Sequence, residues 1–331
     1  MVITKTPFRI SFFGGGTDYP AWFLQEGGAV ISTTIDKYCH ISLRHLPPFF
    51  ENRHRIVWSH IELTDRLKAV QHPAIREVLP SLGFDDSRGL ELHHQGDLPA
   101  RSGIGSSSSF VVGLLKAGLT LQGKHISKKE LAAEAIRLEQ EVMGENVGCQ
   151  DQIAAAYGGL NYIEFKRDGN FAVETLALSP ERKQELERSL HLVFTGFDRL
   201  ATDIAADVIR GIPQNQATLR SLRRKVDLAL EILTTSKDFR EFGALLHQSW
   251  LEKVKLSSKI GNPLVHQIYE DGRAAGALGG KLLGAGGAGF MLFFVPATDR
   301  AQFVGRMKNY LQVPFCFETS GSTVQEFHPV S

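Results

Sequence analysis

Residues 2–14 alternate between apolar and polar positions and are rich in Ile, Phe and Thr, which predicts a β-strand. Residues 28–44 read as a second, longer β-rich segment, and Arg53 to Ser59 and Leu90 to Gln95 predict two more strands. The pattern then changes period. The apolar run Phe110-Val111-Val112-Gly113-Leu114-Leu115 predicts a buried helix directly after a glycine- and serine-rich bend. Ser127-Lys128-Lys129-Glu130 is a capping box, and Leu131, Ala135, Leu138 and Val142 share one face of the helix it starts, which stops near Gly144. A short helix from Gln152 to Tyr157 ends at Gly158-Gly159. Leu160–Phe165 and Phe171–Leu176 then form a hairpin across Arg167-Asp168-Gly169-Asn170.

Pro180 to Ser189 is a polar, charged helix and the natural linker. An apolar strand follows from Leu190 to Thr195, then several helices between 200 and 278. A glycine loop at 284–289 runs into a strand from Phe290 to Val295, followed by a helix over 299–312 and a last strand over 314–318. Strands and helices mix without regular βαβ alternation, so the expected class is α+β in two lobes, divided as 1–187 and 188–331.

Composition narrows the function. Of 331 residues, 43% are apolar and 22% charged, enough for a full core. The 37 Lys and Arg balance 36 Asp and Glu, which argues against a broad surface for nucleic acid or anionic membrane; any anion site must be local. Cys39, Cys149 and Cys316 lie far apart at no zinc spacing, as expected of buried thiols in a reducing cytosol. No signal core or membrane-length apolar run is evident, so a cytoplasmic protein is expected.

The chemistry concentrates in Leu98-Pro99-Ala100-Arg101-Ser102-Gly103-Ile104-Gly105-Ser106-Ser107-Ser108-Ser109. Proline closes a strand, two glycines let an anion approach the backbone, and serines open a buried helix whose N-terminal N–H groups and dipole suit a polyphosphate. The serine hydroxyls can cap the helix or face a metal ion. A flexible linker would not run at once into an apolar helix. A Walker loop would carry Lys after its last Gly, and this segment does not.

This segment resembles the ATP-binding loop of the GHMP kinases. Two more segments match that family in order: Pro7-Phe8-Arg9-Ile10-Ser11-Phe12-Phe13-Gly14-Gly15-Gly16-Thr17-Asp18-Tyr19, and Lys281-Leu282-Leu283-Gly284-Ala285-Gly286-Gly287-Ala288-Gly289-Phe290. The resemblance implies a first domain like ribosomal protein S5 domain 2, a ferredoxin-like second domain and an active site between them. It implies ATP and Mg2+ as cofactors. The first motif is similar to the branch acting on a heptose 7-phosphate. The implied reaction is therefore phosphorylation of its anomeric hydroxyl to a 1,7-bisphosphate, feeding nucleotide-activated heptose for surface polysaccharide. Rival acceptors are fucose, galactose or an N-acetylhexosamine. A non-catalytic sugar sensor is the other class; it would be expected to have lost a base, a metal ligand or a loop glycine. The glycines of 284–289 lack the following acid of a nicotinamide site. The partners implied are a sugar phosphate and ATP, with neither nucleic acid nor membrane; a homodimer is compatible.

Residue by residue, the resemblance assigns Pro99, Arg101, Ser102, Gly103, Ile104, Gly105, Ser106, Ser107 and Ser108 to ATP. Asp151, in Asn146-Val147-Gly148-Cys149-Gln150-Asp151-Gln152, reads alone as a helix N-cap; the match to galactokinase makes it the catalytic base. Arg9, on an apolar strand, needs a buried partner and by the match would hold the base ionised. Glu139 precedes Asp151 by the interval of the galactokinase metal ligand, and Ser107 is its partner by the match, with Ser106 or Ser108 as substitutes. Asp18 matches a sugar-hydroxyl ligand, and Gly15, Gly16 and Thr17 shape the same pocket. Galactokinase carries Glu-His where this chain has Gly15-Gly16, and the missing side chains suit a longer, phosphorylated sugar. Arg199 and Lys255 are the expected cations for its distal phosphate, chosen over Lys253 and Lys259. The glycine loop 284–289 has a support role, and the His93-His94 pair is structural.

Overall fold

The computed structural model describes residues 1–196 and 201–327. In chain order the strands are β1 (Val2–Phe13), β2 (Gly28–His45), β3 (His54–Val57), β4 (Ile61–Thr64), β5 (Leu90–Gly96), β6 (Leu160–Phe165), β7 (Phe171–Thr175), β8 (Leu190–Gly196), β9 (Gly279–Leu282), β10 (Gly289–Phe294), β11 (Gln312–Val313), β12 (Phe317–Glu318) and β13 (Thr323–Phe327). The helices are α1 (Pro20–Glu26), α2 (Pro73–Ser81), α3 (Ser106–Leu121), α4 (Lys128–Arg137), α5 (Gln150–Tyr157), α6 (Pro180–Ser189), α7 (Ala201–Arg210), α8 (Gln216–Thr234), α9 (Phe239–Lys253), α10 (Pro263–Ala274) and α11 (Arg300–Arg306). The class is α+β, as expected from the mixed order.

The larger sheet runs β13-β1-β2-β5-β3-β4, with β6, β7 and β12 attached through β2. Strand β2 is long enough to serve two partners: Gly28–Thr33 pairs with β6, and Cys39–His45 pairs with β5. Strand β1 follows β2 along its other side, and its register slips between Pro7 and Arg9. Such an irregularity re-aims a side chain. Here the Arg9 N–H leaves the ladder and donates to Ile104 O at 3.0 Å, tying β1 to the glycine-serine bend.

Helix α3 lies on β1 and β2 and buries Phe110, Val111, Val112, Leu114 and Leu115. The smaller sheet, β11-β8-β10-β9, is antiparallel and carries α9 on β9. An aromatic cluster joins the two sheets: Phe242 of α9 packs edge-on against Phe12 and Phe13 of β1 at 5.4 and 5.0 Å, and against Phe294 of β10 at 5.9 Å. The lobes thus share one buried seam.

The expected division at 187/188 corresponds to the change of sheet between β7 and β8, but the second part is not all second lobe. Strands β12 and β13 return to the larger sheet, with β13 pairing to β1 and β12 to β2. Thr323–Phe327 has no long apolar run to announce it; its pairing is set by the open edge of β1. The helix expected over 299–312 is shorter, Arg300–Arg306.

Candidate active site

A cavity of about 930 Å3 lies between the lobes. Its floor is the bend Pro99–Ser108. Gly105, at φ +74°, is the N-cap of α3, and no side chain caps that helix, so its first N–H groups face the cavity wall formed by Ser106, Ser107 and Ser108. Arg101 sits at φ 59°, a left-handed conformation costing a non-glycine residue about 1 kcal/mol or more, and its N–H donates to Ser106 Oγ at 3.1 Å. The bend is held from behind by the second glycine loop. Gly103 and Gly284 meet backbone to backbone: a Cβ on Gly284 would stand 2.5 Å from Gly103 Cα, and one on Gly103 would stand 2.5 Å from Leu283 O. No side chain fits between them, which gives the loop 284–289 the support role expected of it.

On one side of the bend the cavity is aromatic. Trp58, His72, His94 and Phe110 line it; His72 stacks on Phe110 with centroids 4.5 Å apart, and His94 meets Phe110 edge-on at 4.9 Å. Burial lowers the His72 pKa to about 4, so a neutral ring faces this end at pH 7. His94 is therefore a cavity-wall residue, a correction to its structural reading.

On the other side stand the acids. Arg9 and Asp151 form a two-pronged pair, Nε to Oδ1 and Nη2 to Oδ2, both 2.7 Å, while Arg9 Nη1 donates to Gly103 O at 2.6 Å. One guanidinium thus locks the carboxylate of α5 to the bend. Asp18 is buried and accepts from Gly16 N and Gln150 Nε2, both at 2.9 Å. Burial, followed by the nearby Asp151 charge, raises its pKa. Gly148 has no room for a side chain: a Cβ there would stand 2.0 Å from Asp18 Oδ2.

Glu139 lies on a π-helical turn, Leu138–Val142, and is fully buried behind Ser108. Such turns recur at functional sites. Its Oε2 accepts from Ser108 Oγ at 2.8 Å and from Gln152 Nε2, while its Oε1 is buried without a partner. Burial pushes its pKa up to about 7. Gln150 and Gln152 were not singled out in the sequence, yet they flank Asp151 and each serves a different acid, because neighbouring helix positions point about 100° apart.

The chain matches the GHMP kinases N terminal domain over residues 68–159 and the GHMP kinases C terminal domain over residues 222–310. The chain belongs to the GHMP kinases. It is similar to the D-glycero-alpha-D-manno-heptose 7-phosphate kinase of Campylobacter jejuni, 29% identical over 96% of this chain and 97% of that one. It is also similar to part of the bifunctional fucokinase/GDP-fucose pyrophosphorylase of Arabidopsis thaliana, 26% identical over 90% of this chain and 30% of that one. In fold it resembles the crystal structure of a D-glycero-D-manno-heptose 1-phosphate kinase from Bacteroides thetaiotaomicron, with a TM-score of 0.79, 24% identity and coverage of 99% of this chain and 100% of that chain.

In this GHMP kinase most expected site residues converge: Arg9, Gly15, Gly16, Asp18, Pro99, Arg101, Gly103, Gly105, Ser106, Ser107, Ser108 and Asp151 all line the cavity. Others are displaced from their expected roles. Thr17 is buried away from it, its Oγ1 donating to Gly14 O and standing 3.0 Å from Ala29 O; it shapes the turn that carries Asp18. Ser102 and Ile104 are buried below the bend, with Ser102 Oγ donating to Pro99 O at 2.6 Å, so their side chains brace the loop. Ser108, not the exposed Ser107, meets Glu139. Lys255 is exposed and off the cavity, and Arg199 lies outside the described residues.

The cavity wall instead contains Lys253 and Lys281. Signals for both exist in the sequence. Lys253 continues the apolar stripe Phe242, Leu246, Trp250 at helical spacing, and Lys281 is the lone charge in Leu278–Leu283.

Proposed function

We propose that this GHMP kinase transfers the γ-phosphoryl group of ATP to the anomeric hydroxyl of D-glycero-D-manno-heptose 7-phosphate, giving the 1,7-bisphosphate and ADP. The observation that carries the reading is the Arg9–Asp151 pair beside the uncapped helix end, with an open pocket at Gly15 and Gly16. The aromatic end of the cavity suits the nucleotide base, the bend its phosphates, and the Asp18 end the acceptor. The similarity to the Campylobacter jejuni heptose 7-phosphate kinase supports the choice of acceptor.

In this scheme the acceptor O1 attacks the γ-phosphorus, the bridging bond to the β-phosphate breaks, and the O1 proton passes to the Asp151 carboxylate. Arg9 holds both carboxylate oxygens and so fixes the direction from which O1 approaches. Asp18, with both oxygens already accepting one bond, retains lone pairs for a sugar hydroxyl. The donor set also fits a magnesium ion. Glu139 Oε1 is a buried oxygen lacking a partner, Ser108 supplies a hydroxyl, and among the described residues no cluster of three or more His, Cys, Asp or Glu offers a metal cage. Few protein ligands are what Mg2+ takes beside phosphates, whose charge it would neutralise when bound.

The deciding experiment is ADP release measured over a panel of acceptors: heptose 7-phosphate, heptose 1-phosphate, fucose, galactose and N-acetylhexosamines. A kcat/KM at least ~100-fold higher for heptose 7-phosphate is expected, on the scale set by charged recognition of one phosphate. Equal turnover of unphosphorylated hexoses would overturn the substrate. Gly148→Ala tests the acceptor end by displacing Asp18. Loss of a charge-assisted hydrogen bond should raise acceptor KM roughly 10- to 100-fold with ATP KM within about twofold. An unchanged acceptor KM would remove Asp18 from that role.

A further inference from the structure

Two cations in the cavity wall take no part in the scheme above. Lys253, at the end of α9, donates from Nζ to Leu282 O at 2.7 Å and to Gly284 O at 2.6 Å. Lys281, on β9, is buried and donates to Phe12 O at 2.9 Å. Neither forms an ion pair among the described residues, whereas two other lysines of the second lobe do: Lys225 pairs with Glu252 and Lys259 with Asp207, at 2.7 and 2.6 Å. The third cation nearby, Arg9, is occupied by Asp151 and Gly103 O.

Two lysines drawn from water side by side without counter-ions are costly to keep charged, and each lowers the other's pKa. Carbonyl oxygens orient them but supply no net charge. An oxyanion would. We infer that Lys253, backed by Lys281, receives a phosphoryl group of a bound substrate.

The geometry suits that task. Two of the three Lys253 protons are fixed on carbonyls, which leaves one N–H free. Those carbonyls belong to the segment packed against Gly103, so the lysine is referenced to the phosphate bend itself. The bend has no lysine of its own, and the second lobe supplies the point charge instead. The inference rests on the kinase reading. The phosphoryl group has two sources, the one leaving ATP or the one carried by the acceptor.

Lys253 also has a proton signature. Burial and then Arg9 lower its pKa to about 7, against the opposing charge of Asp18; Lys281 is the other titrating group beside it. At pH 8 the free protein holds Lys253 largely neutral, and an arriving anion raises its pKa and draws in a proton. Calorimetry of the full chain at pH 8, in buffers of different ionisation enthalpy, should show that uptake, and Lys253→Met should abolish it.

Affinities give the deciding readout. One arm compares a non-hydrolysable ATP analogue with ADP, each with magnesium. The other compares heptose 7-phosphate with the unphosphorylated heptose. Lys253→Met should weaken the phosphorylated member of one arm by about tenfold or more and spare its partner, which names the source; Lys253→Arg should retain binding. The Met variant loses a buried unpaired charge and should melt no lower than wild type, which separates lost binding from lost folding. Changes under about twofold in both arms overturn the inference. If wild type binds no heptose 7-phosphate, the acceptor proposed above fails, and the nucleotide arm still decides the role of Lys253.

Discussion

Asp151→Asn is expected to lower kcat by about three orders of magnitude while ATP KM changes by less than about threefold. The carboxylate is the only proton acceptor that Arg9 holds within reach of the phosphate bend, and a positioned general base contributes roughly 10^2- to 10^4-fold. Asparagine keeps the shape but cannot take the proton. It also faces Arg9 Nε and Nη2 with one oxygen and one N–H donor, so one prong becomes donor against donor. A stability loss on the order of 1–3 kcal/mol should accompany the kinetic one, below the full cost of breaking a buried pair because Asp151 is partly exposed. Steady-state kinetics and a thermal melt on the same preparation check both parts. Activity within tenfold of wild type would take the base role from Asp151.

Glu139→Gln should move activity and stability in opposite directions. Ionised Glu139 is buried with an unpaired oxygen, and its pKa rises from 4.5 to about 7. A raised acid pKa means the folded state binds the proton more tightly than the unfolded chain. No penalty exists below pH 4.5; it grows between pH 4.5 and 7 and is full above pH 7. Its size is on the order of 3 kcal/mol. Glutamine cannot ionise, so without ligands the variant should melt several degrees higher than wild type at pH 8, and the gap should close towards pH 4.5. Activity should fall by about 10- to 100-fold and the magnesium needed for half-maximal rate should rise, as for loss of a ligand oxygen. An unchanged magnesium titration would remove Glu139 from the metal. A gap that does not shrink with falling pH would mean that its carboxyl is not raised.

The chain's linear pattern carried the strands β1 and β2, the buried helix α3 and the bend before it. Each rests on a local signal: alternation, an apolar run, or glycines followed by serines. The pairing of Arg9 with a carboxylate was also legible, since an arginine on an apolar strand cannot be buried alone. The order of the three glycine motifs was enough for the family resemblance that the domain matches then bore out.

Four consecutive serines are chemically equal on paper. Which one meets Glu139 depends on how α3 is rotated, and its packing through Phe110, Val111, Leu114 and Leu115 turned Ser108 inward and left Ser107 exposed. The same reasoning separates Lys253 from Lys255, two positions apart on or just after α9 and so on different faces. The aromatic end joins Trp58, His72, His94 and Phe110 from four separate segments, and the terminal strand β13 exists because β1 offers it an edge.

The sequence by itself determined the elements, the glycine bends and the types of residue available for chemistry, because those follow from local sterics and periodicity. Tertiary structure decided which serine, which lysine and which histidine face the cavity. Those choices turn on helix rotation, strand register and the packing of one lobe on the other, quantities that no short stretch of chain encodes.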